Sequence, residues 1–580
     1  MSFMIVLPFI NLALHSSDTV YRLPERLSIS GYSAAALSSP LRTGYFLLVT
    51  RGRMRIVRHR VLPIDSDRTI WETLMNTSHF TLYDMLLRNA ANSANRVAVF
   101  HDQGQLTFRD LLNRVDAMAT GLAGLGIDKG ERICILAQNH LSYLELYGAC
   151  AKLGLLAYPI NWRLTAEEVH RIVERAEPCM MIIDDTTREL AAEERANNRS
   201  VPHWYIFGDT PIEGFEAFDT VYDSNSPTVA ERSEPDGAFA VISTAAVDVI
   251  PRGALLTQNN IIAANMQSMA VMGLCETDCN LLALPLFHVA ALGSGFSTMH
   301  AGGANVLMNR FDTEAAVRLI EAHKVTYITS FPPVLSNIMD KAEELKVSLD
   351  SLRHVSGLEA PDTIQRLHDT TSAQFWSGFG QTETSGFVTI QRVADKPGAA
   401  GKPGPLCQVR LVDDYDRDVP VGTPGEILVR GPMVFQGYFR LDEVTEYTFR
   451  HGWHHTGDVG RFDGEGYMYY VKRKAEKELI KPGGENVYPA EVESVIMEIG
   501  GVTGVCVFGV SDTQWGEAIK AVVETAAGTG LTAERVIDHV GSRIARFKRP
   551  RHVEFTEQLP TTDEGLVDRD AVKATWGEAS

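Results

Sequence analysis

The sequence predicts an α/β protein with a large N-terminal domain of parallel-sheet βαβ layers, a β-rich subdomain, and a small mobile α+β C-terminal domain. Three observations carry that prediction. Short apolar runs alternate with amphipathic segments from about residue 80 onward. Glycine and proline become dense after Pro397. A charged stretch, Lys472–Glu478, then breaks the apolar pattern. At 580 residues the chain exceeds what one hydrophobic core normally serves, so at least two domains are expected.

The strand candidates of the large domain are Val97–Phe100, Ile133–Leu136, Met180–Ile183, Ala238–Ile242 and Val325–Ile328. Between them, Thr165 and Glu168 form a capping box ahead of Val169, Ile172 and Val173, which share one helical face. Asp312 opens another helix, with Ala316, Leu319 and Ile320 at helical spacing. Strand, helix and strand in succession imply βαβ units and largely parallel sheets. Beyond Pro397, the alternating runs Val409–Val412 and Glu426–Val429 sit between tight turns and read as the β-rich subdomain. The charged stretch is the candidate hinge. After it, Pro489 starts a helix carrying Val492, Val495, Ile496 and Ile499, closed by Gly500-Gly501. The expected domains are therefore 75–474 and 475–580.

Residues 1–74 do not fit this plan. Their apolar opening, Met4–Leu14, lacks a basic flank and is too short to span a bilayer. Arg42–Arg60 is basic without a strong core pattern, so a poorly ordered extension is expected, with Met75 the functional start. No integral membrane segment is expected elsewhere either.

The formal net charge of −19 argues against a general nucleic-acid binder, and an anionic substrate would need local positive features. Seven scattered cysteines, with only Cys275 and Cys279 close together, read as reduced thiols of a cytoplasmic protein. A homodimer is left open.

Chemistry concentrates in three blocks. Gly378-Phe-Gly-Gln-Thr-Glu-Thr384 alone reads as a strand-to-helix turn, and it lacks the third glycine of a dinucleotide fingerprint. Trp453-His-His-Thr-Gly-Asp458 follows, and then Lys481-Pro-Gly-Gly-Glu-Asn-Val-Tyr-Pro-Ala-Glu-Val-Glu493. With Pro285–His288, Val421–Ile427 and Arg430–Pro432, these blocks in this order resemble the adenylate-forming (AMP-binding) superfamily, on its acyl-CoA synthetase branch. The resemblance spans roughly residues 80 to 575.

The resemblance implies a ligase that joins a carboxylic acid to AMP from ATP, with Mg2+, and then passes the acyl group to coenzyme A. By analogy, Phe379 stacks on adenine, with Gly380 and Gln381 beside it. Thr382 donates to the α-phosphate, Glu383 holds Mg2+, and Asp458 accepts from the ribose hydroxyls with Arg473 nearby. Thr244 and Arg252 bracket the phosphate loop, and His288 and Gly357 border the acyl pocket. The pocket candidates (Phe287, His288, Val289, Phe331, Gly357) are mostly apolar, which favours a medium- or long-chain fatty acid, with an aromatic or alicyclic acid the nearest alternative.

Two departures qualify the resemblance. The phosphate loop, Thr244–Gly253, has lost most of the usual glycines and hydroxyls, carries Asp248, and has Arg252 for lysine. Leu566 stands where the superfamily has a lysine bridging acid and α-phosphate, so Lys573, Lys548, Lys477 or Lys481 would have to substitute. These gaps define competing readings: a weakened nucleotide- or acyl-binding pseudoenzyme, or an adenylation enzyme loading a separate carrier protein. Lys548–Arg551 is either a CoA phosphate site or a solvated surface run.

Overall fold

The computed structural model describes residues 44–50, 53–59, 79–230, 233–244, 252–473, 479–526, 529–562 and 567–577. Residues 245–251 of the phosphate loop, the hinge residues 474–478 with Lys477, and Leu566 lie outside the described residues, as does most of the N-terminal extension. Two compact units meet in sequence at His79/Phe80. In the first, Gly44–Thr50 pairs antiparallel with Arg53–His59. The apolar run Phe46–Val49 supplies residues of high strand propensity there.

The regular pattern begins where expected. Thr81 caps the helix Leu82–Asn92 in a capping box with Asp84. Two sheets build the large domain. The first has spatial order Gly437–Tyr438, Gly253–Thr257, Ala238–Ser243, Leu156–Pro159, Arg132–Leu136, Met180–Ile183, His203–Ile206 and Glu216–Ala217. From Ala238–Ser243 outward its pairs are parallel. The second has nine strands and a parallel centre running from Gln374–Gln381 through His354–Gly357, Tyr327–Ser330, Cys279–Leu282 and Ala304–Leu307 to Val97–His101. Fully apolar central strands such as Met180–Ile183 are buried along their whole length, as parallel strands covered on both faces must be.

The Thr165–Glu168 and Asp312 caps form as read. One strand starts later than expected, at Tyr327 instead of Val325. The preceding helix ends on Lys324 in a left-handed conformation, and the chain spends two residues leaving it. The β-rich subdomain is a four-stranded antiparallel sheet of Gln408–Val412, Gly425–Arg430, His454–Phe462 and Met468–Arg473. Its last strand runs through Lys472 to Arg473, so the charged break begins later than the composition suggests. The C-terminal part sets helices around the strands Val502–Asp512, Gly516–Thr525 and His552–Thr556. Its first helix is Pro489–Met497; Ile499 lies past the end but still joins the core.

Candidate active site

The two large sheets, the four-stranded sheet and a C-terminal loop converge on one cavity of about 1560 Å3. That exceeds the ~300–1,000 Å3 of a site for one small ligand, so it has room for more than one substrate.

At one end, the strand Gln374–Gln381 turns through Thr382–Thr384 into the antiparallel strand Gly386–Arg392. The turn is tight enough that a Cβ on Gly380 would lie 2.1 Å from the Gly386 carbonyl oxygen. Only glycine fits, which explains the motif without invoking a dinucleotide. The turn presents Thr382 and Glu383 to the cavity. Glu383 Oε1 accepts the Tyr438 hydroxyl at 2.9 Å. Burial, and then the Glu383 carboxylate, hold that phenol well above its usual range, so Tyr438 stays a donor. Arg252 lies 5.4 Å over the Tyr438 ring, because Tyr438 pairs with Ala254 in the neighbouring strand. Thr244 N–H donates to the Arg252 carbonyl at 2.6 Å, joining the two residues that flank positions 245–251.

Asp458 lies on the next strand, directly opposite Arg473. Its carboxylate accepts from Arg473 Nε at 2.8 Å, from the Tyr470 hydroxyl at 3.1 Å, and from Gln381 Nε2. Gln381 Oε1 is 3.0 Å from His454 Nε2, and its amide also donates to the Thr456 carbonyl. Burial alone would depress the Arg473 guanidinium, but Asp458 outweighs it and keeps the side chain firmly protonated. Asp458, fully buried, is thus the centre of a polar hub. Phe379 borders the cavity but packs mainly into the subdomain core with Val388, Ile427, Val429 and Met468. The more open aromatic is Tyr470, 48% exposed and stacked on Phe379 at 6.4 Å. The sequence reading does not single out Tyr470 or Tyr438; nothing in their local pattern separates them from ordinary strand aromatics.

The C-terminal loop closes another side. Gly483 has φ 59°, and its Cβ would lie 2.8 Å from the Trp515 ring, so again only glycine serves. Next in sequence, Glu485 accepts from Arg163 at 2.6 Å and from Asn161 at 3.0 Å, and lies 3.5 Å from His288 Nε2. Burial would raise the Glu485 carboxyl, but His288 and Arg163 overcome it and hold it below the ordinary carboxylate range. His288 thereby gains a partner in the C-terminal loop while still bordering the cavity, as does Gly357. Lys481 faces the same cavity, and burial followed by the charge of Arg473 depresses its ammonium.

Lys548 corrects an expectation. Its ammonium is buried between Glu168 of the large domain and Glu491 of the C-terminal part, at 2.6 Å from the latter. A lysine engaged by two buried carboxylates neither meets CoA phosphate nor replaces the charge absent at Leu566 in this arrangement. No disulfide joins the seven cysteines, all of them among the described residues, and no described helix is long and apolar enough to cross a membrane.

The comparisons with known proteins agree with this geometry. Residues 86–439 match the AMP-binding enzyme family and residues 491–566 the AMP-binding enzyme C-terminal domain. The chain is 32% identical to a feruloyl-CoA synthase of Amycolatopsis sp, over 85% of this chain and 98% of that one. It is 30% identical to the indoleacetate–CoA ligase of Aromatoleum aromaticum, over 85% and 97%. A Rhodopseudomonas palustris crystal structure with the provisional name long-chain-fatty-acid CoA ligase is 41% identical, with TM-score 0.66, over 68% of this chain and all of that one. This chain belongs to the AMP-binding enzyme family, on the branch of ATP-dependent, AMP-forming acid–CoA ligases.

Proposed function

We propose that the cavity activates an aromatic or alicyclic carboxylic acid as its acyl-adenylate and then transfers the acyl group to coenzyme A. The observation that carries this is the convergence of Glu383, the Asp458 hub and the Gly483–Glu485 loop on one cavity. In the first step a carboxylate oxygen attacks the α-phosphorus of ATP and the bond to pyrophosphate breaks. In the second, the CoA sulfur attacks the acyl carbon and the C–O bond to AMP breaks.

The residues have distinct tasks. Asp458, positioned by its bonds to Arg473, accepts from the ribose hydroxyls; Tyr470 and Phe379 supply the face for adenine. Gln381 and Gly380 fix the strand beside the nucleotide, and Thr382 donates to the α-phosphate. Thr244 and Arg252 hold the phosphate loop, with Arg252 meeting the departing phosphates. Glu383 suits Mg2+, a hard cation that takes carboxylate oxygen, and its Oε1 accepts the Tyr438 hydroxyl, which fixes the side chain at the cavity. The ion supplies charge neutralisation for the polyphosphate. Lys481 is the lysine among the described cavity residues, and it takes the role that Leu566 cannot fill, between the acid and the α-phosphate.

The aromatic reading replaces the leaning toward a fatty acid for two reasons. Two of the three relatives named above, a feruloyl-CoA synthase and an indoleacetate–CoA ligase, are named for aromatic acids, while the Rhodopseudomonas palustris structure is named for a fatty acid. The acyl end also carries Asn265, Ser268, Ser294 and Ser297, where a long alkyl chain would want an unbroken apolar lining. Domains at 75–474 and 475–580, with rotation of the second about the hinge, and a cytoplasmic location complete the reading. The test is an acid panel with ATP and Mg2+, following pyrophosphate without CoA and thioester with it. Acid-dependent pyrophosphate from aryl acids is expected; ATP binding without turnover of any acid would refute the proposal.

A further inference from the structure

The helix Gln258–Met272 packs against the helix Val289–His300, and both border the acyl end of the cavity. Its Asn265 is 1% exposed, yet neither its amide nitrogen nor its amide oxygen has a hydrogen-bond partner among the described residues. An amide buried in that state has lost its water without gaining a partner, which is unfavourable. The hydroxyls around it do not offset that cost. Ser294 and Ser297 donate to carbonyls of their own helix, Ala291 and Ser294, at 3.3 and 3.1 Å. Tyr327, Thr329 and Ser356, on the sheet bordering the cavity, bond to one another. Opposite, Gly293 leaves its would-be Cβ with no atom within 4 Å, so the space there is open. An apolar pocket for alkyl chains has no use for a buried amide with both functions open.

We infer that Asn265 is a recognition site for a hydroxyl group on the acyl part of the substrate. A hydroxyl donates one hydrogen bond and accepts another, matching the amide's oxygen and N–H together. The inference rests on the proposed ligase reading for the identity of the pocket, but not on turnover. A site built this way selects strongly, because the analogue without the hydroxyl leaves the amide unpaired.

Binding of matched acid pairs tests it: 4-hydroxycinnamate against cinnamate, and 4-hydroxybenzoate against benzoate, by calorimetry on the full-length chain without ATP. The wild type is expected to bind the hydroxylated member of at least one pair about tenfold more tightly. Asn265→Leu, nearly the same shape, is expected to abolish that preference, so that the two members of each pair bind alike. Asn265→Ser, which keeps one hydroxyl, lies between and carries the test if the leucine variant does not fold. Equal binding within both pairs by the wild type, no binding of any of the four acids, or a preference that survives both substitutions would each overturn the inference. A preference that follows Asn265 with no acid-dependent pyrophosphate release supports the subsite while refuting the ligase reading.

Discussion

The nucleotide end and the acyl end of the cavity are built on opposite terms. Around Asp458 each functional group has a partner in place: Arg473, Tyr470, Gln381 and, through Gln381, His454. Around Asn265 the amide has none among the described residues. The first is preorganised, so nucleotide binding exchanges existing bonds for new ones and little has to reorient. The second is strained by its own desolvation until a ligand satisfies it. A site serving one invariant substrate and one selected substrate can afford rigidity at the first and must place its discrimination at the second.

The largest effect that would break this comparison lies at the nucleotide end. Lys481→Met should lower acid-dependent pyrophosphate release about 10²–10³-fold, with partial recovery in Lys481→Arg, measured in single turnover. An unchanged rate would show that another group supplies the charge. Asp458→Asn keeps the shape but removes the charge facing Arg473. A loss of about 10–100-fold in the same assay, with raised KM for ATP, is expected.

At the acyl end, Gly293→Leu separates stability from substrate fit. The side chain enters open space from a helix position, so the melting temperature should hold or rise, since leucine exceeds glycine in helix propensity by roughly 0.8 kcal/mol. The KM for an aryl acid should rise about tenfold, on the scale of a pocket losing a few methylenes of room. A falling melting temperature with unchanged KM would mean the residue faces packing instead of substrate.

The smallest effect concerns pH and the loop that joins the two ends. Glu485 has a folded pKa below its unfolded value, so its contribution to docking is present above the unfolded value and lost as pH falls through the folded one. Hydrogen exchange in residues 482–486 should therefore stay slow at neutral pH and accelerate only below about pH 4. Glu485→Gln should remove that acid transition.

The sequence made the nucleotide end legible because its demands are local. Gly380 and Gly483 sit where any Cβ would collide, Thr382 and Glu383 follow just after Gly380, and Asp458 ends its own short block, Trp453–Asp458. The caps at Thr81, Thr165 and Asp312 were legible for the same reason, each being settled within four residues. Asn265 was not, since on a helix of buried alanines and isoleucines an asparagine looks like any satisfied core amide. Only the three-dimensional neighbours reveal that it has no partner among the described residues. Nor could sequence place Lys548, whose partner Glu168 lies 380 residues away, or pair Glu485 with Arg163. A short lysine-rich run reads the same whether it faces solvent or a buried carboxylate.

The central claim is that an acid oxygen in this cavity attacks the α-phosphorus of ATP. The direct measurement is oxygen-isotope transfer: the enzyme is incubated with ATP, Mg2+, CoA and an 18O-labelled aryl carboxylate, and the AMP is analysed by mass spectrometry. One 18O in AMP per thioester formed is the predicted result. Thioester formed with unlabelled AMP, or with ADP and phosphate as the products, would contradict the account.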